Sequence, residues 1–115
     1  MKRKIWGNGY NHLEIEHLDN HDLSSESEKK VLELAEKEAR NKDIIIIQDA
    51  RHGMMTPSLI NKIKNLTKEH NKKIIANSQK TQRESNHLDY RGVDLICMNM
   101  KEAKMIEPGL SLQNV

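Results

Sequence analysis

Polar and ionisable residues directly follow a run of four isoleucines, and their types could hold a small ligand. Residues 48–53 read Gln-Asp-Ala-Arg-His-Gly and come straight after Ile44 to Ile47. In open parallel α/β sheets, ligands bind outside the carboxyl ends of the strands, so the segment from Asp49 to Gly53 is a candidate site by position. The other interpretation, which stays open, is a polar turn that leads the chain out of a buried strand.

A second candidate group lies at residues 99–102, which read Asn-Met-Lys-Glu. Here an amide ends a predicted strand, and a carboxylate follows in the first turn of a predicted helix. Glu102 in that position can cap the helix and interact favourably with its dipole. It can also orient a hydrated magnesium ion near phosphates, while Asn99 hydrogen-bonds a phosphate or its water. Both interpretations remain open, and Glu102 is the candidate metal residue at this strand end.

Turn signals and hydrophobic periodicity predict the elements that carry these groups. The first half contains an N-terminal edge hairpin over residues 4–16 with a turn at Gly7-Asn8-Gly9, and a helix over 26–40 that begins at a capping-box pattern, Ser25 to Glu28. A strand over 43–48 follows. Four successive β-branched residues are typical of a strand buried on both faces.

The second half is also predicted to contain both helices and strands. Thr56-Pro57 predicts the start of a helix over 57–69, and strands follow at 73–77 and 93–98, separated by a polar irregular stretch. Asn99 begins a short helix that Pro108-Gly109 ends. This order predicts a parallel sheet with right-handed crossovers, in which the ends Asp49, Asn77 and Asn99 converge at one edge.

Length and composition exclude several classes of protein. With 115 residues the chain forms about one small domain, and 19 basic residues interspersed with 17 acidic ones give a net charge of +2. Only 3% of residues are aromatic, so nucleic-acid binding is disfavoured. There is no Walker loop, Gly-x-Gly-x-x-Gly motif or nucleophile elbow. The absence of a long apolar run predicts a soluble, cytoplasmic protein that does not enter a membrane.

Two further sets of residues have plain interpretations. Cys97, the only cysteine, lies in an apolar run and is expected to be a small buried hydrophobe. A cluster of histidines and aspartates near the N-terminus could in principle ligate a metal, but its spacing matches no standard pattern and a polar loop explains it equally well. Its members are His12, His17, Asp19, His21 and Asp22.

Taken together, the stretches "DARHGMMTPSLINKI", "KKIIANSQK" and "DYRGVDLICMNMKEAKMI" resemble the ribokinase-like (PfkB-type) sugar kinases. The resemblance is greatest to the bacterial heptose-phosphate kinases and their kinase–nucleotidyltransferase relatives. In that family one strand ends in Asp-aromatic-Gly-Lys/His-Gly, a second in Asp-Pro-Lys or Asn-x-Gln, and a third in Asn-x-x-Glu after a Tyr-Arg-Gly segment. The matching positions here are Asp49, His52, Gly53, Asn77, Gln79, Lys80, Tyr90, Arg91, Gly92, Asn99 and Glu102.

The resemblance implies a fold, cofactors and roles. The expected fold is a three-layer Rossmann-like parallel α/β sheet, a partial ribokinase-like domain over 1–115, with edge strands and a loop at 1–23, a βαβ core at 24–107 and a tail at 108–115. ATP and Mg²⁺ are the implied cofactors. Asn77, Lys80, Asn99 and Glu102 are the implied cofactor-binding residues. Asp49, His52 and Gly53 are the implied rim of the sugar substrate site.

The chain departs from the family pattern in two respects. Ala50 and Arg51 replace the aromatic residue and the glycine, and the Gly-Ala-Gly-Asp segment that supplies the family's catalytic base and anion hole is missing. The match covers about the central third of a kinase. We therefore expect a fragment or split piece of an ATP-dependent heptose-phosphate-like kinase, inactive alone, with no catalytic residue of its own.

The alternative function is a non-catalytic α/β module that binds a nucleotide, a phosphosugar or a protein partner. For either function, unpaired strand edges in a small domain predict a homodimer or a complementing kinase segment.

Overall fold

The computed structural model describes residues 2–16, 21–79 and 85–111, and within them the chain is a mixed α/β protein. A three-stranded parallel sheet, a separate two-stranded hairpin, three α-helices and one short 3₁₀ helix make up the described part. In chain order the elements are β1 (Lys2–Gly7), β2 (Tyr10–Glu16), α1 (Ser25–Ala39), β3 (Ile44–Asp49), α2 (Pro57–Glu69), β4 (Lys73–Ser78), the 3₁₀ helix (His87–Tyr90), β5 (Leu95–Cys97) and α3 (Met100–Ile106).

The N-terminal hairpin forms as predicted, but not at the edge of the parallel sheet. Asn8 and Gly9 both have positive φ angles, 51° and 78°, as the two central residues of a tight hairpin turn require. Among the described residues, β1 and β2 pair only with each other, in a sheet of their own. The predicted edge position is therefore wrong, because hairpin formation is local whereas attachment to another sheet is decided by distant contacts.

The parallel sheet has the order β3-β4-β5, which confirms the predicted parallel pairing of neighbouring strands. Asp49 lies beside Ser78, and Asn77 lies beside Cys97. The carboxyl ends of all three strands therefore lie along one edge. Strand β5 is shorter than predicted.

Helix α2 covers one face of this sheet. Thr56 Oγ1 accepts a hydrogen bond from the Leu59 N–H at 3.1 Å, and Pro57 occupies the first turn, so the predicted start and extent of α2 are confirmed. Side chains from α2, the strands and the 3₁₀ helix form the core: Ile47, Leu59, Ile60, Ile63, Ile74, Ala76 and Tyr90.

The opposite face of the sheet is uncovered. Ile44 is 52% exposed, Ile46 69% and Leu95 53%, whereas Ile47 is buried. The prediction that the isoleucine run is buried on both faces is therefore wrong. The predicted three-layer arrangement is also wrong for the described part of the chain, because helices pack on only one face of the sheet. We call this surface the open face and define it by Ile44, Ile46, Ile75, Leu95 and Cys97.

Cys97 is exposed, which corrects the prediction of a buried hydrophobe. It alternates with Ile96, whose side chain packs against the core, so Cys97 must point to the open face. An apolar run of sequence does not reveal which of its alternate residues meets solvent when only one face is covered.

Helix α1 begins one residue earlier than its capping-box pattern suggests. Ser24 is the N-cap, and its side chain accepts a hydrogen bond from the Ser27 N–H at 3.2 Å. The predicted box between Ser25 and Glu28 does not form, because the Glu28 carboxylate is directed at another helix.

Glu28 joins α1 to the start of α2. Its carboxylate accepts hydrogen bonds from Thr56 Oγ1 at 2.8 Å and Ser58 Oγ at 2.7 Å, and Lys62 Nζ lies 2.8 Å away. The Lys62 ammonium and the two hydroxyl groups stabilise the charged form and lower the pKa of Glu28 to about 2. This buried carboxylate therefore fixes the two helices relative to each other.

The contribution of Glu28 predicts a pH dependence. Its pKa falls from 4.5 in the unfolded chain to about 2 in the fold, so its stabilisation is complete above pH 4.5 and is lost as the pH falls toward 2. Glu28→Gln should therefore unfold at lower denaturant concentration than wild type at pH 6, and the difference should shrink at pH 3. The same melts on Glu33→Gln, an exposed change on α1, serve as the control. A difference in stability between wild type and Glu28→Gln that stayed constant with pH would contradict this role of Glu28.

Candidate functional site at the carboxyl ends of the strands

A cleft of about 470 Å³ lies at the carboxyl ends of β4 and β5. It brings together three of the residues that the sequence assigned to cofactor binding: Asn77, Asn99 and Glu102. The fourth, Lys80, lies outside the described residues. We call this the strand-end cleft; its full lining is Asn77, Ser78, Gln79, Cys97, Met98, Asn99 and Glu102.

Asn99 and Glu102 form a capping box at the start of α3. Asn99 Oδ1 accepts a hydrogen bond from the Glu102 N–H at 2.9 Å, and Glu102 Oε2 accepts one from the Asn99 N–H, also at 2.9 Å. The capping interpretation of this pair is thus confirmed. The magnesium interpretation stays a prediction, and capping does not compete with it, since a carboxylate has lone pairs for more than one partner.

His87 lies next to Glu102, and no sequence pattern predicted this contact. The imidazole is buried, with Nδ1 2.6 Å from Ser85 Oγ and Nε2 3.2 Å from the Ser78 carbonyl oxygen. Since the carbonyl can only accept, Nε2 donates to it. Nε2 also lies 3.8 Å from Glu102 Oε2. The 3₁₀ helix therefore contacts the cap of α3 through this one side chain.

Asp49, a predicted rim residue, is buried rather than open to a ligand. Its Oδ2 accepts hydrogen bonds from Tyr90 Oη at 2.9 Å and Asn86 Nδ2 at 2.8 Å, and its Oδ1 accepts one from the Arg51 N–H at 2.8 Å. Only 3% of the residue is exposed. Burial, together with the bond to the Asp49 carboxylate, raises the pKa of the Tyr90 hydroxyl well above its usual range, so the hydroxyl remains a donor.

The Asn86 amide connects two strand ends to the segment that precedes the 3₁₀ helix. Asn86 donates to Asp49 with its nitrogen and accepts from Ser78 Oγ with its oxygen at 2.6 Å. The end of β3, the end of β4 and the segment before β5 are therefore fixed together. Asn86 lies in a stretch that the sequence indicated only as polar and irregular.

His52 and Gly53 lie apart from the strand-end cleft. They line a separate pocket of about 350 Å³ together with residues 21–24, 27 and 54. Gly53 has φ +95°, and a Cβ atom there would collide with the His21 carbonyl, so only glycine fits. Arg51 also has a positive φ of 63°. The described structure does not unite His52 and Gly53 with Asn77, Asn99 and Glu102.

The described residues contain no group of three histidine, cysteine or acidic side chains arranged to hold a metal ion. Of the N-terminal cluster weighed in the sequence, His21 and Asp22 line the separate pocket. The side chain of His12, and the whole of His17 and Asp19, lie outside the described residues. None of the described helices is both long and apolar enough to cross a membrane.

Comparisons with known protein families, with curated proteins and with solved structures found no match to this chain.

The Asp49 network predicts the cost of removing one donor. Tyr90→Phe leaves Asp49 Oδ2 with one hydrogen bond fewer in a buried site, and we expect a loss of about 1–3 kcal/mol in the free energy of unfolding. Tyr10→Phe removes the same hydroxyl from an exposed tyrosine of the hairpin and should change stability little. Denaturant melts of both variants measure the difference. Equal stability of the two variants would show that the hydroxyl of Tyr90 is not needed.

Proposed function

We propose that this chain supplies the magnesium–nucleotide wall of a ribokinase-like sugar kinase whose remaining parts come from other protein segments. The observation that carries the proposal is the strand-end cleft, in which Asn77, Asn99 and Glu102 meet at the carboxyl ends of two adjacent parallel strands. This is the position where open α/β sheets bind ligands.

The chemistry of the lining supports a metal-bound ligand rather than a free anion. The amides of Asn77, Gln79 and Asn99 can donate to or accept from a phosphate, its water shell or a base. The described lining contains no arginine or lysine, and it includes the Glu102 carboxylate. A bare phosphate would be repelled by that carboxylate, whereas a hydrated Mg²⁺ between them reverses the sign of the interaction.

The resemblance noted in the sequence supports the same assignment. Asn77 and Gln79 match one strand-end motif of the kinases, and Asn99 and Glu102 match the next, so the two motifs lie side by side at the cleft. The sequence does not contain the family's Gly-Ala-Gly-Asp segment. Phosphoryl transfer depends on a positioned base and on charge stabilisation, so the chain alone would bind nucleotide without transferring phosphate. A cytoplasmic location is part of this proposal, since ATP is the donor.

One observation favours the second candidate, a non-catalytic module that binds a nucleotide, a phosphosugar or a partner. Asp49 occupies the strand end that the resemblance assigns to the sugar, yet its carboxylate is buried and bonded to Tyr90 and Asn86. In that case the strand-end cleft would bind the ligand, and Asp49 would stabilise the fold without contacting a sugar.

Titration calorimetry with a non-hydrolysable ATP analogue and Mg²⁺ tests the proposal through Glu102→Gln. The glutamine oxygen can still accept from the Asn99 N–H, so stability should fall by no more than about 1 kcal/mol. Loss of the charge should weaken magnesium-dependent nucleotide binding by on the order of tenfold. Glu107→Gln, the same change at the far end of α3 and outside the cleft, is the matched control and should bind like wild type.

Two outcomes of this titration would contradict the proposal. Equal affinity of wild type and Glu102→Gln would remove Glu102 from the site. Failure of the wild-type chain to bind the nucleotide with Mg²⁺ would show that the strand-end cleft is not a nucleotide site.

A further inference from the structure

The chain carries two apolar surfaces that nothing in the described structure covers. One is the open face of the parallel sheet. The other is one face of the hairpin, where Ile5 pairs directly with Leu13 and Ile15 follows two residues later on the same side. These three side chains are 47–53% exposed. Arg3, which pairs with Ile15, lies on the same side and borders these apolar residues. The opposite side of the hairpin is also charged, with Lys2 Nζ 3.0 Å from Glu14 Oε1. We call Ile5, Leu13 and Ile15 the hairpin face.

The amount of exposed surface indicates a partner. The chain exposes 8696 Å² of surface, whereas a compact monomer of its mass exposes about 6,450 Å². The excess of about 2,200 Å² is summed over the whole chain. The half-exposed side chains of the two apolar faces contribute to it, and a standard interface takes roughly 800 Å² from each partner. The radius of gyration, 17.0 Å, likewise exceeds the roughly 13 Å expected for a compact domain of this length.

We propose that two copies of this chain form a reciprocal dimer in which the hairpin face of each packs on the open face of the other. Both faces are β-structure, and such surfaces stack about 10 Å apart with interdigitating side chains. One two-fold axis covers both apolar surfaces in both chains, whereas any other single contact leaves one of them in water. This inference does not depend on the proposed nucleotide site.

Polar residues border the open face at both ends, which limits the proposed contact to the apolar residues between them. At its carboxyl end Asn77 Nδ2 donates to Gln48 Oε1 at 3.1 Å, and at its amino end Lys73 Nζ lies 3.3 Å from Asp94 Oδ1. Between these borders, Ile46, Ile75 and Leu95 form a row across the three strands. The net charge of +2 gives little repulsion between copies.

Light scattering on lysine variants tests the dimer. Wild type should have twice the chain mass, and Ile46→Lys or Ile5→Lys should weaken the dimer at least about tenfold, as charges in the centre of an interface do. Leu34→Lys is the matched control, because Leu34 is 63% exposed on α1 and belongs to neither face. It should change the dimer affinity by less than about twofold.

Mixing the two disruptive variants distinguishes the reciprocal arrangement from other dimers. In a mixed dimer of Ile5→Lys and Ile46→Lys, one hairpin contact joins two altered faces and the other joins two intact faces. The mixture should therefore dimerise more strongly than either variant alone. A mixed dimer that paired hairpin with hairpin, or open face with open face, would join one altered face to one intact face. Such a mixture would dimerise no more strongly than the better of the two variants alone, so absence of rescue would overturn the proposal.

Cys97 provides a readout that needs no disruptive variant. It lies on the open face, so its reaction with a maleimide should slow as the protein concentration is raised through the range of dimer formation. A wild-type monomer in which Cys97 reacts at full speed at every concentration would overturn the proposal. So would a monomer with Cys97 protected at every concentration, since the hairpin would then cover its own sheet.

Discussion

Parallel pairing of β3, β4 and β5 is the constraint on which the rest of the structure depends. In this register the carboxyl ends of the three strands lie along one edge. Parallel neighbours also need a crossover between them, and α2 supplies the first, on one face of the sheet. The same arrangement thus creates the strand-end cleft and leaves the open face without a covering layer.

Buried carboxylates with several hydrogen bonds stabilise the fold in addition to its small apolar core. The apolar cluster is small, and aromatic residues make up 3% of the chain. Glu28, Asp49 and Glu102 are each buried, and each accepts hydrogen bonds that fix the ends of helices or strands. Removing one donor from such a site leaves a buried oxygen without its hydrogen bond, which costs stability. Of the three, only Glu102 also lines the strand-end cleft.

Local signals in the sequence predicted the elements well, and distant contacts account for what they missed. Thr56-Pro57 and the helical spacing after it gave α2 its limits because caps and periodicity are local. Whether Ile46 is buried depends on a layer that the sequence cannot show. Glu28 matched a capping pattern, but its partners lie about thirty residues away. The sequence predicted Asp49 at the rim of a ligand site. No pattern in the polar stretch before β5 indicated that the Asn86 amide would bond to the Asp49 carboxylate.

The assignment of the strand-end cleft as a nucleotide wall is tested most directly by amide chemical shifts of the isotope-labelled chain during titration with a non-hydrolysable ATP analogue and Mg²⁺. The account predicts saturable, magnesium-dependent shifts at Asn77, Gln79 and Asn99, with His52 and Gly53 unchanged. Shifts confined to residues around His52 and Gly53, or no magnesium-dependent shifts at the ends of β4 and β5, would contradict it.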